Sequence, residues 1–166
     1  MIRPLVLVAT LTSGAATAQP GDPVTPATLA NTAEMIRIAA AIDAAVDAKD
    51  WTLARSFFAD EITVDFTSLV GGAPATIPAD ALIAGWSGNL TNEKQSFHLR
   101  GNHRLVWVGA EEAVLHSHGY AWNRMEAGAL PENGSDPMWE VWGTYSHDFD
   151  MTAERGNSWV RNTPGG

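Results

Sequence analysis

Five histidines are the side chains best suited to chemistry, because imidazole gains and loses a proton near neutral pH. All five fall in the second half of the chain, within stretches whose composition is typical of strands: His98, His103, His116, His118 and His147. A lone histidine is usually structural. Five of them on neighbouring strands of one sheet predict that several form a functional cluster and that the others are bystanders.

Asp47 is the carboxylate best placed to act with such a cluster. It lies near the C-terminal end of a predicted helix, where the helix dipole is negative and a carboxylate needs a donating or positively charged partner. One interpretation is a solvated acid like Asp50, which closes the same segment. The other is an acid that faces a cavity and hydrogen-bonds to a sheet histidine, which it would orient and hold in its charged form. The sequence alone leaves both interpretations open.

A metal site is a competing interpretation of the same histidines. His116 and His118 share one face of a strand, and His98 or His147 could complete a site for Zn²⁺ or Fe²⁺. The pair has no carboxylate at a familiar ligand spacing beyond the preceding turn, and the absence of cysteine excludes thiolate sites. We therefore expect no metal ion, and acid–base chemistry needs no organic cofactor.

The overall composition restricts the class of ligand. The 166 residues suit one domain, and 45% hydrophobic with 17% charged residues is typical of a globular protein. The formal net charge of −9 opposes binding to nucleic acid or to anionic membranes, which requires clusters of Lys and Arg. Seven tryptophans fill a core or line an apolar cavity. A small apolar organic molecule is the expected partner.

The N-terminus predicts export. Arg3 is positively charged, residues 5–11 are apolar, and Ala16-Thr17-Ala18 forms a cleavage motif. This is the layout of a secretory signal peptide, and its apolar run is too short to span a bilayer. We expect residues 1–18 to be removed on export to the periplasm or the medium.

The remaining chain is expected to form one domain. Residues 19–30 are rich in Pro, Asp and Thr and predict a flexible leader, and residues 31–166 form the domain itself. The last strand, entered after Gly156, is expected to be very short or missing.

The apolar pattern predicts helices first and strands afterwards. Apolar residues at helical spacing indicate helices over about 33–49, from Trp51 and over about 78–90. The predicted strands are one short segment and three long ones: 61–66, 97–108, 113–125 and 138–151. Segregated elements of this kind predict an α+β fold. We expect a cone-shaped, curved antiparallel sheet packed on three N-terminal helices, with one pocket at its mouth.

Three segments resemble the scytalone dehydratases. Residues 46–51 are similar to their helix-end Tyr-Asp-Ser-Lys-Asp-Trp, residues 64–66 to their Ile-Asp-Tyr, and residues 96–102 to their Gln-His-Phe-Ile-Gly-Gly. The spacing between the segments also matches, so the resemblance covers about residues 35–145. It implies membership of the SnoaL-like branch of the nuclear-transport-factor-2-like superfamily, which includes dehydratases, polyketide cyclases and isomerases.

The resemblance implies roles for the residues at matching positions. The catalytic aspartate of the family falls on Asp47, and one of its two catalytic histidines falls on His98. The second falls on Ser117, so a β-bulge would be needed to turn the adjacent His118 into the cavity.

Other matching positions bear on the substrate pocket. The pocket asparagine of the family falls near Tyr145, and an apolar pocket residue falls on Trp86. The two tyrosines that hold a water over the substrate carbonyl fall on Val46 and Phe66, so both phenols are missing from this chain.

The resulting hypothesis is a lyase- or isomerase-type enzyme acting on a cyclic or polyketide-like carbonyl compound. His98 would move a proton α to the carbonyl and Asp47 would orient it, while Tyr145 and His118 would bind the substrate oxygen. The expected substrate-binding residues are Phe66, Trp86, His103, Trp122 and Trp142. The alternative is a non-catalytic domain that binds a small ligand or serves as an accessory. The resemblance also implies a homodimer formed through the sheet.

Overall fold

An open antiparallel sheet and the helices that precede it make up the described part of a computed structural model, which comprises residues 21–125, 138–151 and 159–165. The strand order is β3-β4-β5-β6, and β1 and β2 form a separate two-stranded sheet. In chain order the elements are α1 Leu29–Asp47, α2 Trp51–Ser56, β1 Glu61–Val64, α3 Thr67–Val70, β2 Ala75–Pro78, α4 Ala79–Asn89, β3 Lys94–Trp107, β4 Glu112–Met125, β5 Met138–Asp150 and β6 Trp159–Gly165. The α+β class predicted from the sequence is confirmed.

The N-terminal region is only partly described. The signal peptide over residues 1–18 lies outside the described residues, and export stays a prediction. Among the described helices, none combines the length and the apolar character that crossing a bilayer requires.

Several element boundaries differ from the prediction. α1 begins at Leu29, where Thr25 and Thr28 bond to each other, so the helix starts about four residues before the predicted 33. β1 ends at Val64 because the Asp65 carboxylate accepts hydrogen bonds from the backbone and hydroxyl of Thr67, at 2.9 and 2.6 Å, and turns the chain into α3. α3 and β2 were not predicted, so the described residues form four helical segments instead of three. β6 is present and pairs with β5 over seven residues, so the last strand is not missing.

The four-stranded sheet has two chemically different faces. Odd-numbered residues of β4 are buried towards α1, as shown by Leu115, Ser117 and Ala121. We call this side the inner face. His98 and Arg100 of β3 pair with Ala121 and Gly119, so their side chains also lie on the inner face. The opposite side is the outer face.

The core lies between the inner face and the helices. α1 contributes Met35, Ile38 and Ile42, all at most 3% exposed. Burying each such side chain stabilises the fold by about 1.5–3 kcal/mol. The rest of the chain contributes further large buried side chains, among them Phe58, Ile62, Leu105, Leu115 and Phe149.

A β-bulge interrupts β3 next to these inward-facing residues. Gly101 pairs with His118 and Arg104 pairs with His116, so Asn102 and His103 together oppose a single residue of β4. Asn102 has φ +51°, a left-handed conformation that asparagine tolerates better than most residues. The bulge turns His103 towards the inner face, beside Leu105 and Leu115.

The paired glycines Gly119 and Gly143 give a test of this packing. A Cβ on residue 119 would lie 2.3 Å from Cε2 of the Tyr145 ring, whereas a Cβ on residue 143 would meet nothing within 4 Å. Overpacking costs about 1–3 kcal/mol, so Gly119→Ala is expected to lower the free energy of unfolding by that amount. The matched control Gly143→Ala is expected to leave it unchanged or slightly higher. Denaturant unfolding of both variants checks this, and equal stability of the two would contradict the packing described here.

Candidate active site

Asp47 and His98 form a hydrogen-bonded pair between α1 and β3. Asp47 Oδ1 lies 2.6 Å from His98 Nδ1, and Asp47 Oδ2 accepts the backbone N–H of His98 at 2.9 Å. β3 is an edge strand, so the carboxylate satisfies an N–H that faces away from β4. Because a carboxylate accepts hydrogen bonds, Nδ1 carries the ring proton and Nε2 is left as the basic nitrogen. The His98 and Asp47 side chains are 18% and 24% exposed, so solvent reaches the pair.

The end of α1 fixes the position of Asp47, its last residue. The Lys49 N–H donates to the Val46 carbonyl at 3.1 Å, and the Asp50 N–H donates to the Ala45 carbonyl at 2.8 Å. These are the two bonds of a Schellman motif. Lys49 has φ +59°, a conformation that glycine usually supplies at this position. The helix therefore ends sharply, with its final carboxylate directed at β3.

Arg100 and Asp43 form a second pair between α1 and β3, one helical turn before Asp47 and more deeply buried. Arg100 Nε and Nη2 donate to the two Asp43 oxygens at 2.5 and 2.8 Å, and the two side chains are only 8% and 10% exposed. Asp43 precedes Asp47 by one helical turn, and Arg100 follows His98 by two residues on the same face of β3. Two parallel contacts of this kind join helix to strand.

The Tyr145 ring completes the environment of Arg100. Arg100 Cζ lies 4.1 Å from the centre of that ring, in a cation–π contact. Burial raises the pKa of the Tyr145 phenol; the charge of Arg100 lowers this pKa and the charge of Asp43 raises it, both to a smaller extent. Tyr145 thus lies on the inner face where the sequence placed it, but its observed contact is with the arginine.

Polar groups continue along the inner face beyond His98. Lys49 Nζ donates to Ser96 Oγ, and burial lowers the Lys49 pKa against the opposing attraction of Asp47. Asn123 pairs with Ser96 in register, and its buried Oδ1 has no partner among the described residues. A substrate at the pair would therefore meet donors and acceptors on this side.

Two inner-face histidines are held neutral by their surroundings. His147 is 2% exposed, and burial, followed by the charge of Arg100 and the neighbouring His103, lowers its pKa well below the ordinary value. Burial and Arg100 likewise lower the pKa of His103. Among the described residues, no hydrogen bond joins either side chain to the Asp47–His98 pair, so the predicted cluster of histidines is divided.

The structure corrects the placement of three predicted site residues. His118 lies on the outer face, is exposed, and has its Nδ1 3.0 Å from the side-chain nitrogen of Asn102. The bulge that would have been needed to turn it inward occurs on β3 instead. Trp122 and Trp142 also lie on the outer face, with Trp142 75% exposed, so neither lines the site. Strand alternation places all three on the side away from α1.

Phe66 and Trp86 lie where the helices meet the core. Both are partly buried against it, and the Trp86 ring meets the Phe58 ring edge-on with centroids 5.9 Å apart. They form apolar packing near the helical side of the fold, and no described contact joins either of them to His98.

Two hollows bounded by described residues lie away from the pair. One, of about 320 Å³, lies between α1 and the β3 bulge and is lined by Ile36, His103 and Leu115 among others. The second, of about 290 Å³, lies on the outer face beside Leu99 and His118. Neither of them is the pocket that the sequence predicted around His98. The His98 side chain is instead partly exposed to solvent.

The metal interpretation finds no support in the described ranges, where no group of three or more His, Asp or Glu side chains is arranged to hold an ion. His116 and His118 share the outer face as predicted, but His98 and His147 lie on the inner face, on the other side of the sheet. His116 Nδ1 instead bonds to Ser146 Oγ at 2.8 Å.

Sequence reasoning missed Arg100 and Asp43 as site residues. The available signal was an acid inside the apolar arc of the first helix, one turn before Asp47. On β3, Arg100 follows His98 by two residues on the same face, and this distance is close to one helical turn. Only the relative placement of helix and strand joins the two signals.

Comparisons with known proteins identify the family and the fold of this chain. The family model of the SnoaL-like domain matches residues 27–160. Comparison with the curated proteins gives no significant match. Among solved structures, the chain is similar to the Kfla4162 protein from Kribbella flavida, with a TM-score of 0.70 and 23% identity, covering 84% of this chain and 93% of that chain.

Two further solved structures carry functional descriptions of their own. A candidate scytalone dehydratase from Novosphingobium aromaticivorans has a TM-score of 0.65 and 17% identity, covering 82% of this chain and 83% of that chain. A hexachlorocyclohexane dehydrochlorinase, LinA type 2, has a TM-score of 0.61 and 13% identity, covering 82% and 85%. At these identities the similarity shows a shared fold.

The buried His147 predicts a dependence of stability on pH. The folded imidazole stays neutral, whereas in the unfolded chain it takes up a proton near pH 6.5. Below about pH 6.5 the unfolded state therefore binds more protons, and the free energy of unfolding falls as the pH decreases. Thermal unfolding between pH 7.5 and 5.5 should show this decline, and His147→Gln should make it shallower. The exposed His118→Gln is the control, and a slope unaffected by His147→Gln would contradict the assignment.

The Asp43–Arg100 pair predicts a large cost for losing one partner. Asp43→Asn leaves the Arg100 charge buried without compensation, which should lower the free energy of unfolding by about 3–5 kcal/mol. Glu34→Gln breaks the exposed Glu34–Arg37 pair and is the matched control, expected to cost less than about 1 kcal/mol. Denaturant unfolding measures both. Similar costs for the two variants would show that the buried pair does not join α1 to β3 as described.

Proposed function

The chain belongs to the SnoaL-like domain family, and from this membership and the geometry above we propose that it is a lyase- or isomerase-type enzyme. Its substrate would be a small cyclic or polyketide-like carbonyl compound. The observation that carries the proposal is the Asp47–His98 pair, joined at 2.6 Å and open to solvent. An imidazole with one nitrogen fixed by a carboxylate has its other nitrogen ready to take a proton.

The proposed step is proton transfer at carbon. His98 Nε2 removes a proton from the carbon α to the carbonyl, and the electron pair moves towards the carbonyl oxygen to form an enolate. The resulting imidazolium is stabilised by Asp47, which acts as a positioning residue. In an isomerase the proton returns to a different carbon. In a lyase it goes to a departing hydroxyl, which leaves as water.

Functional descriptions of the relatives support this class of reaction. One solved structure of the same fold is a candidate scytalone dehydratase and another is a dehydrochlorinase. Both names describe eliminations, in which a proton leaves carbon as a neighbouring group departs. Next to the pair, Ala121 opposes His98 across the strands and Val141 follows on β5, so this part of the inner face suits an apolar ring.

A non-catalytic ligand-binding or accessory role is the second candidate, favoured by two observations. Val46 and Phe66 stand where the scytalone dehydratases have the tyrosines that hold a water over the substrate. The hollow between α1 and the β3 bulge is lined by apolar side chains such as Ile36 and Leu115, at a distance from the pair along β3. A ligand held there would need no base.

Hydrogen–deuterium exchange distinguishes the two roles. Cyclic ketones and diketones incubated in D₂O with the protein are expected to exchange their α-protons faster than in buffer, as measured by NMR. His98→Gln is expected to reduce this rate by about 10²–10⁴-fold, and Asp47→Asn to reduce it as well. His118→Gln, a histidine of the outer face, should leave it unchanged. Binding without exchange across the panel, or exchange that survives His98→Gln, would exclude the proposed reaction and favour the binding role.

A further inference from the structure

Arg100 is held in a way that leaves one of its nitrogens free. Asp43 binds Nε and Nη2, so the carboxylate occupies one edge of the guanidinium fork. The Tyr145 ring covers one flat side at 4.1 Å. Nη1 is buried and has no hydrogen-bond partner among the described residues. Since Nη1 belongs to the edge opposite Asp43, its two N–H groups point away from α1's carboxylate.

Other buried polar atoms without partners surround the same part of the inner face. They come from the bulge of β3 and from the facing strands: His103 Nε2, Ser117 Oγ and His147 Nδ1. Ser117 opposes the bulge on one side and pairs with Tyr145 on the other, and His147 is electrostatically coupled to Arg100. We call Arg100 Nη1 and these three atoms the polar nest.

A nest of this kind requires an occupant. Each buried polar group without a hydrogen bond costs about 1–3 kcal/mol, and more when the group is charged. Native proteins therefore fill such places with ordered water or with a polar part of a ligand. The Asp43 carboxylate already balances the Arg100 charge, and the two histidines are neutral. The nest thus suits a single oxygen that is neutral on arrival and gains negative charge as the reaction proceeds.

The base and the arginine lie next to each other on one face of β3. Residues two apart on one strand face have Cα atoms about 6.6 Å apart, which is the separation of His98 and Arg100 along β3. A carbonyl oxygen and its α-carbon are joined by two bonds of about 1.2 and 1.5 Å. A carbonyl compound bound on this face can therefore direct its oxygen at the arginine and its α-carbon at the histidine.

We propose that Arg100 Nη1 binds the carbonyl oxygen of the molecule whose α-proton His98 removes, so that Arg100 is a catalytic residue of this site. The inference rests on the proposed function and names its oxygen-binding group. Asp43 and Tyr145 are positioning residues that aim the guanidinium. As the proton leaves, negative charge develops on the oxygen beside a donor that is already oriented, and this arrangement stabilises a transition state most effectively.

The test uses phenolates as stable mimics of a ring enolate. Binding of 4-nitrophenolate is followed by its absorbance, which shifts when the oxygen accepts a hydrogen bond from a charged donor. Wild type is expected to bind with a shifted spectrum. Arg100→Met is expected to bind about 10–100-fold more weakly and without the shift, because a hydrogen bond from a charged donor is lost. Arg124→Met removes an exposed arginine of the outer face and should behave as wild type.

Two further variants make the result decisive. His98→Gln should retain the spectral shift, because the oxygen site does not include the base; the mimic therefore reports on Arg100 even if the proton-exchange experiment fails. Arg100→Met leaves Asp43 without its partner, so Asp43→Asn combined with Arg100→Met provides a neutral pair whose folding is checked by circular dichroism. Shifted binding that persists in the folded double variant would overturn the proposal, and so would a wild type that does not bind the phenolate.

Discussion

The two contacts that join α1 to β3 determine how helix and sheet are aligned. Asp43 and Asp47 are one helical turn apart, about 6 Å along the axis. Arg100 and His98 are two residues apart on one face of a strand, about 6.6 Å. The spacing of the two aspartates nearly matches the spacing of His98 and Arg100. Both carboxylates can therefore bind their partners at the same time, at 2.5–2.9 Å. A shift of the helix by one residue would leave carboxylates facing apolar side chains, which a low-dielectric interior penalises heavily.

The same alignment gives the two pairs different chemistry. The Asp47–His98 pair lies at the end of the helix and remains partly exposed, so its free imidazole nitrogen can exchange protons with a bound molecule. The Asp43–Arg100 pair lies one turn deeper and is almost fully buried, so its charge is fixed and oriented. A site with a mobile proton at one end and a fixed donor at the other is suited to forming an enolate. Gly119 contributes by leaving room for the Tyr145 ring that supports the arginine.

Much of the fold could be predicted because its signals are local. Helical spacing located α1, α2 and α4, and alternation located β3, β4 and β5 to within a few residues. Asp47 and His98 were paired through a resemblance, whose segments carry both positions. The outward placement of His118 and Trp142 could not be predicted, since alternation shows which residues share a face but not which face a helix covers. The Asp43–Arg100 pair depends on the relative alignment of two elements more than fifty residues apart, which no local pattern encodes.

The differences from the scytalone dehydratases gain meaning from this alignment. Val46 and Phe66 replace the two tyrosines whose phenols, by the resemblance, would hold a water over the substrate carbonyl. An enolate oxygen is stabilised by a hydrogen-bond donor aimed at it. In the proposed reaction Arg100 supplies a donor from β3 instead, on the same strand face as the base. Because a guanidinium is charged throughout the accessible pH range, it stabilises a developing oxyanion more strongly than a phenol-bound water. Retaining the acid–base pair while changing the oxygen-binding group would keep the class of reaction and change the carbonyl compound that is selected.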